Sequence, residues 1–66
     1  MKIKLNGKPY ELDQAVSLLA LLESLGVNPE LVAVELNLDI VKRAEREGIT
    51  LKEGDEVEII RMIGGG

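Results

Sequence analysis

Residues 1–12 read M-K-I-K-L-N-G-K-P-Y-E-L, and residues 17–26 read S-L-L-A-L-L-E-S-L-G. In the first stretch Ile3 and Leu5 alternate with Lys2 and Lys4, the period of a half-buried strand. Asn6-Gly7 follows, a strong hairpin signal because both residues tolerate positive φ. Tyr10 and Leu12 share one face of the return strand. Pro9 cannot donate to a ladder, which places that strand at a sheet edge. In the second stretch Ser17 suits an N-cap, and Leu18, Leu21, Leu22 and Leu25 fall on one helical face. Leu19 widens the stripe, while Ala20, Glu23 and Ser24 point the other way. Gly26 fits the left-handed position after the helix, with Val27 to cover it. A hairpin with one apolar face is therefore followed by a single helix with one apolar face.

The remaining chain completes that sheet. Asn28-Pro29 marks a loop. In residues 32–37, V-A-V-E-L-N, the side chains of Val32, Val34 and Leu36 share one face against Ala33 and Glu35. Residues 37–42 carry a turn and a short return strand through Ile40 and Val41. Residues 44–47 make one helical turn, stopped by Gly48, and their charges read as solvated surface. Residues 52–55 form a turn with Gly54 suited to positive φ, and E-V-E-I-I-R-M-I forms the last strand. Packing one helix on one mixed sheet gives a two-layer α+β domain. The order hairpin, helix crossover, strand predicts a β-grasp, ubiquitin-like fold. The expected organisation is one domain over residues 1–63 and a flexible glycine tail over residues 64–66.

Composition narrows the chemistry. The chain of 66 residues contains neither cysteine nor histidine, so the usual thiol nucleophile, general base and soft metal ligands are missing. Tyr10 is the only aromatic residue, so packing rests on Leu, Ile and Val. Twelve acidic residues against 8 basic ones give a net charge of -4, opposite to the basic footprint that nucleic acid demands. No apolar run is long enough to span a bilayer and no signal peptide opens the sequence. A cytoplasmic domain is expected.

The last strand contains a conflict. Val57 and Ile59 alternate with Glu56 and Glu58, so the glutamates face water. Continued alternation puts Ile60 and Met62 on the glutamate face, and Arg61 and Ile63 on the core side. Either a bulge shifts the register, or Ile60 and Met62 form an exposed patch suited to a partner. After them come Gly64, Gly65 and Gly66. Glycine without a Cβ can thread a channel too narrow for any side chain. Such a tail would deliver the α-carboxylate of Gly66, ionised at neutral pH because its pKa is about 3.3–3.7. Adenylation would turn that poor electrophile into a mixed anhydride open to a sulfur or nitrogen nucleophile. No residue of this chain can do that step, so a partner has to bring ATP, Mg²⁺ and the nucleophile.

The sequence resembles the ThiS family of sulfur carrier proteins of thiamin biosynthesis, part of the ubiquitin-like β-grasp superfamily that also includes MoaD. The likeness is carried by M-K-I-K-L-N-G-K at the start, V-A-V-E-L-N at residues 32–37, I-V-K-R at 40–43, L-K-E-G-D-E-V-E-I at 51–59 and the final G-G-G. The resemblance implies that a ThiF-like adenylyltransferase adenylates Gly66, using its own ATP and Mg²⁺. A cysteine desulfurase or rhodanese-type donor would supply sulfur to form a thiocarboxylate. The carrier would then pass that sulfur to a ThiG-like thiazole synthase. It also implies a protein that is not itself an enzyme, binds no cofactor or metal, and threads Gly64 and Gly65 into its partners. Docking by the sheet face favours exposure of Ile60 and Met62. Two departures stand out. Many members read N-G where this chain has Asn37-Leu38, so a different turn is expected there, and V-P-R is frequent where this chain has Val41-Lys42-Arg43.

Other clients use the same tail. A MoaD-like carrier for molybdopterin tends to be longer and to bear aromatics after the first strand, whereas Phe and Trp are absent here. A tRNA-thiolation carrier and a plain β-grasp interaction module complete the alternatives. The carboxylates of Glu53, Asp55, Glu56 and Glu58 read as solvation, a weak cation site, or steering of a basic partner. Steering by Glu56 and Glu58 is the expectation.

Overall fold

A computed structural model describes residues 1–62. The predicted glycine tail at 64–66, and the place of Ile63, lie outside the described residues. The first hairpin joins β1 (Lys2–Leu5) to β2 (Lys8–Glu11), with Ile3 opposite Tyr10 and Lys4 opposite Pro9. Asn6 and Gly7 both take positive φ, 50° and 82°, the backbone of a primed hairpin turn. As Pro9 requires, β2 is an edge strand.

The helix α1 (Leu18–Ser24) is too short to be stable alone. Its ends and its buried face hold it. The Ser17 hydroxyl accepts from the Ala20 amide at 3.0 Å. At the other end Gly26, at φ 76°, donates to the Glu23 carbonyl and Val27 donates to that of Leu22. Those bonds make a Schellman motif, which uses carbonyls the helix would otherwise orphan. Leu18, Leu21 and Leu22 are fully buried.

The chain then passes through a 3-10 turn (Pro29–Leu31) into β3 (Val32–Leu36), β4 (Asp39–Val41), a 3-10 segment (Arg43–Gly48) and β5 (Glu56–Arg61). The sheet order is β2-β1-β5-β3-β4. The last strand is central, parallel to β1 and antiparallel to β3. A mixed sheet of this order, crossed on one face by one helix, is the predicted α+β, β-grasp arrangement. Ile3, Val32, Val34, Val41, Leu51 and Val57 meet the helix leucines in one core. Each such side chain contributes about 1.5–3 kcal/mol when fully buried, enough for a core without aromatic mass or disulfides.

Two expectations are corrected. The solvated-surface reading of residues 44–47 fails at Arg46, which is only 3 % exposed. Its guanidinium reaches inward to backbone carbonyls of the 29–32 segment, and an isolated charge in a polar run carries no sequence sign of that. The turn at Asn37-Leu38 is also not of a different kind. Asn37 and Leu38 take φ 51° and 75°, the same primed geometry as Asn6-Gly7, with a leucine in the position that glycine favours.

Candidate functional site

The open face of the sheet is built by strict alternation. In β5, Val57 and Ile59 turn toward the helix while Glu56, Glu58 and Ile60 turn away. The ladder between β5 and β3 is unbroken: Leu36 pairs with Val57, Glu35 with Glu58, Val34 with Ile59, Ala33 with Ile60 and Val32 with Arg61. The bulge is therefore ruled out. Met62 continues the ladder, its amide donating to the Leu31 carbonyl at 2.9 Å. Ile60 is 47 % exposed and Met62 48 %. The conflict read in the sequence is resolved as an apolar patch on the surface.

The predicted docking residues Glu56, Glu58, Ile60 and Met62 thus lie along one face, with the apolar pair nearer the end of the chain. Two apolar neighbours escaped the sequence reading. Leu31, opposite Met62 by the same register, is 56 % exposed, and Ile40, opposite Glu35, is 76 % exposed. Parity gives the signal for both. If Val32, Val34 and Val41 face the core, Leu31 and Ile40 have to face out. Glu35 stands directly opposite Glu58. Like charges in that position disfavour the isolated sheet slightly, and they make the middle of the face acidic.

Arg61 faces the helix side but is exposed, because it lies beyond the core. With Gly26, Val27, Leu31 and Met62 it lines a groove of about 340 Å³ between the end of the helix and the end of β5. Among the described residues no cluster of His, Cys, Asp or Glu is arranged to hold a metal ion, and no helix is long and apolar enough to cross a membrane. The only ion pair among them is Lys2 with Glu11 at 3.9 Å, on the surface. Gly64, Gly65 and Gly66, assigned to threading and sulfur transfer from the sequence, lie outside the described residues.

A model of the ThiS family matches residues 3–66. The chain belongs to the ThiS family. The crystal structure of the thiamine biosynthesis protein ThiS from Geobacter metallireducens superposes with a TM-score of 0.88 at 38 % identity, each chain covered over 100 % of its length. Among sequence relatives, a thiazole synthase from Magnetococcus marinus is 44 % identical over 66 residues, all of this chain and 20 % of that protein. One from Paramagnetospirillum magneticum is 39 % identical over the same span. The chain thus spans about a fifth of the length of these relatives. An uncharacterized protein, ycf40, of Porphyra purpurea is 33 % identical, matching this whole chain and 93 % of its own length.

Proposed function

We propose that this ThiS-family chain is a sulfur carrier for thiazole formation in thiamin biosynthesis, working through a free α-carboxylate on Gly66. The observation that carries the proposal is the unbroken β5 register, which sets Ile60 and Met62 on an open sheet face directly ahead of the glycines. A partner can grip that face while Gly64 and Gly65 enter its active site. The carboxylate of Gly66 attacks ATP, pyrophosphate leaves, and an acyl-adenylate forms. A persulfide on the donor then displaces AMP to give an acyl disulfide, and a partner thiol cleaves its S–S bond, releasing the thiocarboxylate and leaving a disulfide on the partner. The chain supplies no catalytic group to either step, having neither histidine nor cysteine. A ThiF-like adenylyltransferase brings ATP and Mg²⁺, and a cysteine desulfurase or rhodanese-type donor brings sulfur. ATP use is compatible with the expected cytoplasmic location.

The acceptor assigned here is a thiazole synthase. Two thiazole synthases are 44 % and 39 % identical to this chain over a fifth of their own length, and a carrier joined to its client needs no diffusional encounter. The acidic stripe of Glu35, Glu56 and Glu58 steers a basic partner face. Converting Glu56 and Glu58 to Lys slows association with the adenylyltransferase, most at low salt; unchanged rates would remove steering. The test of the whole proposal is intact mass spectrometry after co-expression with the adenylyltransferase and sulfur donor. The expected result is a mass gain equal to sulfur replacing one oxygen, abolished by deleting Gly66. No gain with a competent activating enzyme, or full activity without Gly66, would sink it.

A further inference from the structure

Arg46 is the one charged side chain buried among the described residues. Its Nη1 donates to the Pro29 carbonyl at 2.7 Å and its Nη2 to the Val32 carbonyl at 2.8 Å. Its Nε is buried without a partner, and no described carboxylate pairs with it. Burial first, and the charge of Arg43 second, push its pKa below the usual arginine value. A cation buried against carbonyls alone is a costly route to stability, since an apolar side chain would fill the same space without desolvating a charge. What the planar fork does supply is fixed geometry.

That geometry acts on a segment otherwise held by its own turn, in which the Asn28 side chain accepts the Glu30 amide and the Asn28 carbonyl accepts the Leu31 amide, both at 3.0 Å. The 3-10 turn Pro29–Leu31 buries no side chain of its own. The Arg46 fork grips the carbonyls on either side of Leu31, and the Leu31 carbonyl accepts the Met62 amide at 2.9 Å. This is the last backbone bond of the β5 ladder among the described residues. Arg46 and the end of β5 are therefore linked by hydrogen bonds to one short stretch of backbone, residues 29–32. We infer that Arg46 is a positioning residue, fixing the backbone of Met62, the last described residue ahead of the glycines. The catalytic consequence rests on the carrier function proposed above; the structural consequence does not.

Two full-length variants test it, Arg46→Met, which keeps an apolar stem, and Arg46→Lys, which keeps charge but not the fork. Amide hydrogen exchange is read at Met62 and at Val57 in the core. In Arg46→Met, exchange at Met62 rises about tenfold while Val57 stays within about twofold. With a competent adenylyltransferase, kcat for pyrophosphate release falls about tenfold with KM within about twofold, because a misplaced carboxylate loses alignment rather than docking. Arg46→Lys falls between wild type and Arg46→Met. A folded Arg46→Met with wild-type exchange at Met62 and wild-type kcat overturns the inference. So does equal acceleration at Val57 and Met62, the mark of a purely structural role. If Arg46→Met does not fold, Arg46→Lys is judged by the same criteria. A wild-type chain that is never adenylated defeats the carrier function, and the exchange comparison still decides the positioning role.

Discussion

Two turns led by asparagine flank the central strand from opposite sides, and they solve one problem with different residues. After β1, Asn6-Gly7 reverses the chain at φ 50° and 82°; after β3, Asn37-Leu38 does so at φ 51° and 75°. Each asparagine side chain also bonds to β5. The Asn6 side-chain oxygen accepts the Ile59 amide at 2.7 Å, just past the end of β1. The Asn37 side-chain oxygen accepts the Glu56 amide at 2.9 Å while its nitrogen donates to Asp55 at 3.1 Å. The turns differ at their second position. Gly7 adopts its conformation freely, whereas Leu38 holds it against the Cβ penalty of the left-handed region. Leu38 is 81 % exposed, so no packing offsets that penalty. The strand pairing on either side imposes it.

The largest expected effect on this comparison is at Asn37. Asn37→Ala removes a two-bond cap and a residue tolerant of positive φ, and lowers unfolding free energy in urea by about 2–3 kcal/mol. Asn6→Ala, which loses a single side-chain bond to β5, costs about 2 kcal/mol. If the two losses are equal, the additional bond of Asn37 to Asp55 contributes nothing. Gly7→Ala follows, at about 1–2 kcal/mol. An added Cβ there meets no atom within 4 Å, so the loss measures backbone conformation alone. A neutral Gly7→Ala would show that the turn relaxes and would collapse the contrast with Leu38. The smallest effect is a gain: Leu38→Gly raises stability by about 0.5–1 kcal/mol, relief of strain less the entropy of a freer unfolded chain. On the proposed carrier function, adenylation kinetics stay at wild type, because the turn lies away from the end of β5. A loss of stability instead would show that Leu38 makes a contact worth more than its strain.

Those turns also mark where sequence could be read and where it could not. Asn6-Gly7 announced its turn because glycine is itself the conformational signal. Asn37-Leu38 did not, because leucine advertises burial or helix and takes positive φ only when strand pairing forces it. The helix was legible from leucines at helical spacing between Ser17 and Gly26, and the core face of β5 from Val57 and Ile59. Ile60 and Met62 were half legible: alternation placed them outside, but only the ladder to β3 distinguishes a continuous strand from a bulge. Leu31 and Ile40 followed from the same parity, once the inward faces of β3 and β4 were known. Arg46 was invisible, since its burial depends on a tertiary meeting between the 3-10 segment and residues 29–32.

The central place of β5 bears on how this protein is made. β1, β2, β3 and β4 cannot join into one sheet until residues 56–61 arrive between β1 and β3. That closure pairs opposite ends of the sequence, the kind of long-range contact that comes late and slowly. On the ribosome, folding has to wait for the same segment that leads to the glycines. A chain cut short before β5 is then not a well-formed body missing its end but an unfinished sheet, open to cellular proteases. Native structure and the strand that leads to the glycines are completed together.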